Sequence, residues 1–412
     1  MEKQEIQKLL KENHEEAIEA AAQRLAGVTR PTPLIHSDFY TEEYGCDVWL
    51  KPENLQATGS FKIRGAYNKI ASLSDEALKR GVVSASAGNH AQGVAFSAQR
   101  RGVKATIVMP DVTPLLKVDA TKSYGADVIL HGEIYDESYE KAMELARAKG
   151  MAFIHPFDDY QVICGQGTIA REILAELPDA DEILVPIGGG GLISGVLLWA
   201  KTVNPGIKVI GVTPEGDPAV KHSLEKGKPV WEPEVHTCAE GVAVRQPGDL
   251  TFSIIQKYLD ELVMVSEGDI METILLMIEK HKLVTEAAGA VSLAGVRQRA
   301  RHGRKLVALI SGGNIDTVTV SSVVNQGMIS RGRIMCFSVD LPDRPGSLVA
   351  IAQVCAREGA NVIELEHNQF KALDRYSDRV ALEVTVETNG HAHIERVLEA
   401  LKQEGFPVRR IY

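Results

Sequence analysis

One lysine, Lys62, stands in a run of small polar residues at the start of a predicted helix. From position 57 the chain reads Ala-Thr-Gly-Ser-Phe-Lys-Ile-Arg-Gly-Ala. A lysine amine that has lost its proton is a nucleophile, and enzymes use such lysines to bind carbonyl compounds covalently. A contribution to solubility explains a lysine in this setting poorly. We therefore interpret Lys62 as a candidate nucleophile.

Four consecutive glycines, Gly188, Gly189, Gly190 and Gly191, follow a mostly apolar predicted strand at 182–187 and precede a predicted helix. Backbone N–H groups at a helix N-terminus carry partial positive charge and bind phosphate. A glycine-rich turn that only lets strand and helix pack closely is the alternative. A nucleophilic lysine together with a phosphate-binding loop suggests the cofactor pyridoxal phosphate.

The glycine run fits neither of the common nucleotide-binding patterns. A G-x-G-x-x-G fingerprint that begins at Gly188 requires a glycine at position 193, where Ile193 stands. A P-loop that ends at Gly195 requires a lysine next, and Val196 follows instead. Both nucleotide interpretations therefore fail.

Composition limits the class of protein. A chain of 412 residues is long enough for two or three domains. A net charge of −10 argues against a nucleic-acid or anionic-membrane partner, and no apolar stretch has the length of a membrane span. Five scattered cysteines and a mixed-charge N-terminus predict a cytoplasmic protein. The histidines lack metal-ligand spacing, so we expect no metal site.

The elements that must position these residues alternate between short β-branched runs and amphipathic helices. This order predicts an α/β fold with parallel sheets and helices on both faces. We predict strands at 82–86, 105–109, 127–130, 153–155, 182–187, 208–212, 262–265 and 305–310. Ligands of such sheets bind at the carboxyl ends of the strands. The loops after the strands at 82–86, 182–187 and 305–310 are therefore the places to look for a site.

Two further polar loops follow predicted strands. The loop Ser-Ala-Gly-Asn-His-Ala-Gln begins at Ser86 and could hold a carboxylate through its N–H groups, Ser86 and Asn89. An ordinary Ser/Asn helix cap is the alternative for this loop. The loop Ser-Gly-Gly-Asn begins at Ser311, where a simple strand-end turn is the alternative. Together with Lys62 and the glycine run, these loops fit one shared pocket.

Four motifs carry a family resemblance: Gly-Ser-Phe-Lys-Ile-Arg-Gly-Ala, Ser-Ala-Gly-Asn-His-Ala-Gln-Gly, Gly-Gly-Gly-Gly-Leu and Ser-Gly-Gly-Asn. They resemble the fold-type II pyridoxal-phosphate enzymes and, more closely, the threonine dehydratases (threonine ammonia-lyases). The resemblance implies a catalytic domain like the tryptophan synthase β chain, with two parallel-sheet subdomains. We expect this domain at residues 1–325, with the small subdomain at about 81–158.

The resemblance also implies how the cofactor is held. Lys62 would bind it covalently and then act as general base, and Phe61 would pack against its ring. Asn89 would donate a hydrogen bond to the ring hydroxyl. Ser311 would face the pyridine nitrogen, and Gly241 would lie beside the ring.

Phosphate and substrate contacts follow from the same resemblance. Backbone amides of residues 188–191 and of Leu192 would hold the phosphate. Ser86, Asn89 and His90 lie in the loop that would receive the substrate carboxylate. The implied reaction converts L-threonine to 2-oxobutanoate and ammonia, with L-serine as a second substrate.

At two positions this chain departs from the pattern of the racemases of this fold. Serine racemases of this fold are expected to carry a second serine where this chain has Ala87, and a methyl group delivers no proton. Racemase-like relatives also place an acidic metal ligand where this chain has Thr213 after Gly211 and Val212. We therefore expect neither racemisation nor a magnesium site.

The C-terminal segment follows a different pattern. Residues 326–332 are predicted as a linker, and residues 333–412 follow the order β-α-β-β-α-β of a ferredoxin-like domain. The segment resembles an ACT domain, a small-ligand regulatory module. Because ACT sites usually form between paired domains, the resemblance implies a homodimer or homotetramer.

The ACT resemblance further implies an amino-acid effector, isoleucine or valine. The helix N-terminus in this segment could again bind a carboxylate. The predicted effector-binding residues are Asp343, Arg344, Pro345 and Gly346. A dimerisation domain without a ligand is the alternative.

Other functions stay open at this point. An L-serine dehydratase or a β-replacement enzyme would use the same fold, although the loop at Ser86 and the ACT-like tail argue against β-replacement. An amino-acid sensor would need a pocket but not the full set of Lys62, Asn89, Ser311 and the glycine run. One methyl group discriminates by only about 1–3 kcal/mol, so the sequence does not separate threonine from serine.

Overall fold

The computed structural model describes residues 3–342, 344–368 and 379–412. The chain divides into two compact units, Met1–Ile315 and Asp316–Tyr412. Within the described ranges we find no helix with the length and apolar character of a membrane span.

Two sheets form the first unit. Its strands are β1 Ile35–His36, β2 Asp47–Pro52, β3 Val82–Ala85, β4 Ala105–Met109, β5 Asp127–Leu130, β6 Ala152–Phe153, β7 Glu182–Pro186, β8 Lys208–Pro214, β9 Glu261–Val265 and β10 Lys305–Ile310. One sheet has the order β1-β2-β10-β7-β8-β9 and the other β5-β4-β3-β6. Apart from the antiparallel pair β1–β2, the described pairs in this unit are parallel. The α/β fold with parallel sheets is therefore confirmed.

Helices connect these strands. They are α1 Lys3–Leu9, α2 His14–Leu25, α3 Asp38–Tyr44, α4 Lys62–Ala71, α5 Asp75–Arg80, α6 Asn89–Arg101, α7 Leu115–Ser123, α8 Tyr135–Lys149, α9 Tyr160–Glu176, α10 Gly191–Val203, α11 Ala219–Lys226, α12 Asp249–Tyr258, α13 Glu267–Leu276, α14 Ala287–Ala294 and α15 Val296–Arg299. Short 3₁₀ segments cover Glu53–Leu55 and Glu240–Val242, and a π-helical turn covers Met277–His281.

The predicted strands agree with the structure to within one or two residues at an end, and those at 105–109, 127–130 and 305–310 have the predicted bounds. Strands β1 and β2 were not predicted. Strand β2 contains Lys51 and Pro52, which are atypical of a buried strand. Lys51 is nevertheless fully buried, because its Nζ donates to the carbonyl oxygen of Thr32 at 2.7 Å and to Glu172 at 2.6 Å.

A buried ion network lies behind the helix that begins with Lys62. Arg64 is fully buried and donates to both carboxylate oxygens of Glu53, each at 2.8 Å. It also donates to both oxygens of Glu172, at 2.6 and 2.9 Å, and Lys51 bonds the same carboxylate. Burial alone lowers the pKa of Arg64, but Glu53 and Glu172 raise it further than burial lowers it. Two positive and two negative side chains thus compensate one another, as buried charges require.

Glycines bring the helices α4, α9 and α10 into backbone contact. A Cβ built on Gly165 of α9 would lie 2.5 Å from the backbone oxygen of Arg64 in α4. A Cβ built on Gly195 of α10 would lie 2.5 Å from the backbone nitrogen of Gly167 in α9. Helix α9 therefore sets the distance between the start of α4, which carries Lys62, and the start of α10, which follows the glycine run.

The second unit begins with helix α16. Its elements are α16 Thr317–Ser330, β11 Ile334–Pro342, α17 Ser347–Glu358, β12 Asn361–Asn368, β13 Arg379–Glu387, α18 His391–Gln403 and β14 Val408–Arg410. The strands pair antiparallel in the order β12-β13-β11-β14, as in a ferredoxin-like sheet. Alternate residues of β11 enter its core, namely Met335, Phe337, Val339 and Leu341.

Helix α17 begins at Ser347, because Pro345 and Gly346 precede it and Gly346 has a φ of 97° that cannot continue a helix. One boundary in this unit differs from the prediction. Helix α16 covers the first part of residues 326–332, for which a linker was predicted. The domain division at 325 and 333 stays a prediction, whereas the compact units divide after Ile315.

Replacing Gly165 with alanine tests the role of α9. The added methyl group would force α4 and α9 apart, so we expect Gly165→Ala to lower the free energy of unfolding of the first unit by about 1–3 kcal/mol. Urea unfolding followed by tryptophan fluorescence measures this, because Trp49, Trp199 and Trp231 all lie in the first unit.

The matched control is Gly268→Ala in α13, where the nearest neighbour of an added Cβ is the Ser266 hydroxyl at 3.7 Å. We expect this variant to unfold like the parent chain. Equal unfolding midpoints for Gly165→Ala and Gly268→Ala would contradict the close approach of α4 and α9.

Candidate active site

Lys62 is the first residue of α4, and its side chain is partly buried. Its Nζ donates to the carbonyl oxygen of Pro156 at 3.2 Å and lies 5.2 Å from the centre of the Phe61 ring. Burial lowers the pKa of the Lys62 amine to about 8, although Glu286 acts in the opposite direction. A larger share of this amine is therefore neutral near pH 7 than of an exposed lysine, as a nucleophile or base requires.

The loop that carries Lys62 joins the loop after β10. The backbone N–H of Phe61 donates to the Ser311 carbonyl oxygen at 3.1 Å, and the N–H of Gly313 donates to the Gly59 carbonyl oxygen at 2.9 Å. These bonds hold Lys62 at the carboxyl edge of the larger sheet. The Ser311 side chain is buried there, and its Oγ donates to the Ala288 carbonyl oxygen at 3.2 Å. The structure thus brings Lys62, Phe61 and Ser311 together.

Asn89, the first residue of α6, joins the same group of loops. Its Nδ2 donates to Glu286 Oε1 at 2.5 Å, and its Oδ1 accepts from Asn314 Nδ2 at 2.7 Å. The loop after β3 is therefore tied to the loop after β10 and to the residue before α14. Asn89 was predicted as a cofactor ligand, and it lies where three loops meet.

Glu286 is a candidate functional residue that the sequence analysis did not single out. It precedes α14 and is partly buried. Burial raises the pKa of its carboxyl group to about 7, although the Asn89 hydrogen bond, Lys117 and Lys62 oppose this shift. The available signal was one acidic residue at the start of an otherwise apolar and small-residue stretch, Ala-Ala-Gly-Ala-Val. Only the fold shows that this carboxyl group faces Asn89.

The glycine run turns the chain from β7 into α10. Gly190 has a φ of 91° and occupies the N-cap position, while Leu192 is buried in the first turn. A Cβ on Gly189 would collide with the Phe157 ring, and one on Gly191 would lie 2.8 Å from the Phe157 Cα. The run therefore needs glycine for close packing. The N–H groups of the first turn of a helix have no partner within the helix, so this turn can bind an anion.

The predicted substrate loop contains residues in two different settings. Ser86 is partly buried, and its Oγ accepts from the backbone N–H of Gly88 at 3.2 Å. His90 is buried, with its Nε2 3.0 Å from the Ile154 carbonyl oxygen. Burial lowers the pKa of His90 to about 3, so its ring is neutral and donates through Nε2. His90 thus supports the loop through its bond to the Ile154 carbonyl oxygen. Its contact with substrate stays a prediction.

Gly241 lies in the 3₁₀ segment beside Glu286. A Cβ at this position would lie 2.9 Å from the Ala288 Cβ and 4.0 Å from Glu286 Oε1. The preceding residue, Glu240, forms a 2.9 Å ion pair with Lys117 of α7. This ion pair connects the part of the unit that contains the smaller sheet with the part that contains the larger one.

The residues present fit pyridoxal phosphate. They offer an amine of lowered pKa, an anion-binding turn and the amide of Asn89. Two hydroxyl groups of the loop that carries Lys62, those of Thr58 and Ser60, are buried and have no hydrogen-bond partner among the described residues. An unpaired buried hydroxyl is costly, so a polar ligand group at this edge would relieve that cost. Across the described ranges, no group of three or more acidic, histidine or cysteine side chains could hold a metal ion.

The predicted effector loop lies in the second unit. Arg344, Pro345 and Gly346 are exposed and precede the twelve-residue helix α17. The backbone N–H of Arg344 donates to the Pro342 carbonyl oxygen at 2.8 Å, which tightens the turn. Asp343, the fourth predicted residue, lies outside the described residues.

Comparison with protein families agrees with this architecture. Residues 25–312 match the family described as pyridoxal-phosphate dependent enzyme, and residues 337–406 match the ACT domain. The fold and the site therefore define a fold-type II enzyme that uses pyridoxal phosphate and carries a C-terminal ACT domain, as predicted.

Individual relatives indicate which group within this family the chain is similar to. The L-threonine ammonia-lyase of Thermotoga maritima is 46% identical over 395 residues, which cover 96% of this chain and 98% of that protein. The solved threonine deaminase isoform 2 from Solanum lycopersicum has a TM-score of 0.73 at 38% identity, covering 77% of this chain and 90% of that one. Maize serine racemase has a TM-score of 0.72 at 34% identity, covering 76% and 98%. The chain belongs to the pyridoxal-phosphate-dependent enzymes and, within them, to the L-threonine ammonia-lyase family.

The lowered pKa of Lys62 makes a prediction about cofactor uptake. Covalent capture of pyridoxal phosphate requires the neutral amine, so its initial rate at Lys62 should rise with pH and level off above pH 8. Between pH 6.5 and 8 the neutral fraction of a group with a pKa near 8 grows about fifteenfold. Borohydride trapping of the cofactor-free protein, followed by peptide mass spectrometry, measures this rate.

Lys62→Ala is the control and should give no labelled peptide at this position. A capture rate that still climbs steeply between pH 9 and 10 would be the behaviour of an exposed lysine. That result would contradict the effect of burial on Lys62.

Proposed function

We propose that this chain converts L-threonine to 2-oxobutanoate and ammonia and also accepts L-serine. The observation that carries the proposal is the Lys62 amine of lowered pKa, held at the carboxyl edge of the larger sheet by the backbone bonds of its loop to Ser311 and Gly313. The names and identities of the relatives support threonine as substrate.

Different residues of the site have different roles in the reaction. Pyridoxal phosphate, when bound, supplies a ring that withdraws electrons from the substrate's Cα. The Lys62 amine removes the Cα proton, because its pKa near 8 lets it be neutral before the step and protonated after it. Asn89 would bind the ring hydroxyl and Ser311 would face the pyridine nitrogen, so these two side chains would orient the ring. The N–H groups of residues 188–191 and of Leu192 would hold the phosphate.

Substrate binding uses the start of α6. We propose that the substrate carboxylate binds at the N–H groups of the loop from Ser86 to Asn89, where the helix dipole favours an anion. His90 acts there through its support of the loop. Ala87 offers no proton to the opposite face of Cα, which favours elimination over racemisation. L-serine lacks only one methyl group, so discrimination against it is limited to about 1–3 kcal/mol.

The test is product formation by the cofactor-loaded protein. We expect L-threonine to yield 2-oxobutanoate and ammonia, detected by mass spectrometry and by an ammonia assay. Lys62→Ala should lower the turnover by at least about a hundredfold, because it removes the general base. Lys79→Ala, on the exposed face of α5, is the matched control and should retain the parent rate.

Two outcomes of this test would contradict the proposal. A cofactor-loaded protein that releases no 2-oxobutanoate from L-threonine would overturn it. A kcat/KM for L-serine far above that for L-threonine would instead favour the L-serine dehydratase alternative.

We propose that residues 333–412, within the second unit, form the regulatory domain and that this domain binds isoleucine or valine. The exposed turn Arg344, Pro345 and Gly346 at the N-terminus of α17 supports this. The N–H groups of the helix would bind the effector's carboxylate, with Arg344 supplying a positive charge. Pairing of such domains between subunits would make the enzyme a homodimer or homotetramer.

Removing residues 331–412 should abolish the response of the enzyme to isoleucine and valine while turnover of L-threonine continues. Arg344→Ala in the full chain should raise the effector concentration for half-inhibition about tenfold or more, since a charged hydrogen bond contributes about 1.5–3 kcal/mol. Rate measurements across an effector series check both variants.

Lys402→Ala, in the last turn of α18, is the control for a lost surface charge in this unit and should respond like the parent chain. An unchanged response of the shortened enzyme would place the effector site elsewhere.

A further inference from the structure

The amide of Asn89 is held from both ends by side chains. Its Nδ2 donates to Glu286 Oε1 at 2.5 Å, and its Oδ1 accepts from Asn314 Nδ2 at 2.7 Å. Asn314 Nδ2 in turn donates to the backbone carbonyl oxygen of Thr58 at 2.8 Å. A continuous series of hydrogen bonds therefore runs from the Lys62 loop through Asn314 and Asn89 to Glu286.

This series has a fixed direction. The Thr58 carbonyl oxygen can only accept, so the Asn314 amide must turn its Nδ2 towards it. The same Nδ2 faces Asn89, which must then present its Oδ1. A reversed Asn89 amide would place two N–H donors together at Asn314 and two oxygens together at Glu286. Through Asn314, the backbone carbonyl of Thr58 thus determines the orientation of the side-chain amide of Asn89.

Glycines make room for these contacts. A Cβ on Gly59 would collide with the Asn314 side chain and lie 2.9 Å from its Cγ. A Cβ on Gly312 would collide with Glu286 and lie 3.2 Å from Asn89 Nδ2. Gly59 belongs to the motif around Lys62, and Gly312 follows Ser311. Both glycines therefore serve the approach of side chains to one another, in addition to any contact with a ligand.

We propose that Glu286 and Asn314 are positioning residues that aim the second N–H of Asn89 at the cofactor's ring hydroxyl. The amide nitrogen carries two hydrogens, and the bond to Glu286 uses one of them. The fixed direction of the series leaves the other for the ligand. This inference rests on the proposed role of Asn89 as the donor to the ring hydroxyl, and it adds two residues that do not touch the cofactor.

The charges around Glu286 suit this role. Burial raises the pKa of its carboxyl group to about 7, and Lys62, Lys117 and Asn89 favour its charged form, whereas Glu240 disfavours it. In either protonation state a carboxyl oxygen is available to accept from Asn89. The positioning contact therefore depends on an acceptor at position 286 and not on a negative charge.

This distinction defines the variants. Glu286→Gln keeps an acceptor oxygen at the same place, whereas Glu286→Leu removes it at similar volume. Asn314→Asp keeps the shape of the side chain but removes both hydrogen bonds that its Nδ2 donates. Each purified variant is loaded with pyridoxal phosphate, and its thermal unfolding is compared with that of the parent holoenzyme to establish that it is folded.

The readouts are the dissociation constant of pyridoxal phosphate and the visible absorption band, which reports on ionisation of the ring hydroxyl. We expect Glu286→Leu and Asn314→Asp to raise the dissociation constant about tenfold and to shift the band, since the Asn89 amide would lose a hydrogen bond that sets its direction. Glu286→Gln should keep the dissociation constant within about twofold of that of the parent and leave the position of the band unchanged.

Two results would overturn the inference. One is a parent-like dissociation constant and band in both Glu286→Leu and Asn314→Asp. The other is a Glu286→Gln variant that behaves like Glu286→Leu, because charge and not acceptor geometry would then be what matters. Both readouts concern cofactor binding alone, so they stay interpretable whether or not the parent enzyme turns over L-threonine.

Discussion

Backbone-to-backbone packing of three helices is the constraint on which the site depends. Helix α9 contacts α4 at Gly165 and α10 near Gly195, at distances that leave no space for a Cβ. Because α4 begins with Lys62 and α10 follows the glycine run, this packing fixes the separation between the amine and the anion-binding turn. The buried ion network around Arg64 holds the same end of α4 from behind.

Burial then gives these positions their chemistry. The same desolvation lowers the pKa of Lys62 to about 8 and raises that of Glu286 to about 7, so both groups change protonation state near neutral pH. An amine of this kind can exchange protons with a substrate at low cost. By contrast, Arg64 is fully buried but stays charged, because Glu53 and Glu172 contact it directly.

Local patterns were sufficient to predict the fold class and much of the site. Short apolar runs between amphipathic helices predict a parallel α/β sheet, since such strands are covered on both faces. Three of the predicted strands have the observed bounds, and the β-α-β-β-α-β order of the tail is confirmed. Strand β2 was not predicted, because the burial of Lys51 depends on its bonds to the Thr32 carbonyl oxygen and to Glu172, a residue 121 positions away.

The sequence by itself determined the candidate site loops: Lys62 at the start of a helix, and Asn89, the glycine run and Ser311 after strands, each placed by a motif of a few neighbouring residues. Only the tertiary structure decided how they act together. Glu286 lies 197 positions from Asn89 and 224 from Lys62, and no local pattern links them. Its contact with Asn89 and its raised pKa arise from burial and from the meeting of three loops, because desolvation and hydrogen-bond direction are properties of the folded surroundings and not of neighbours along the chain.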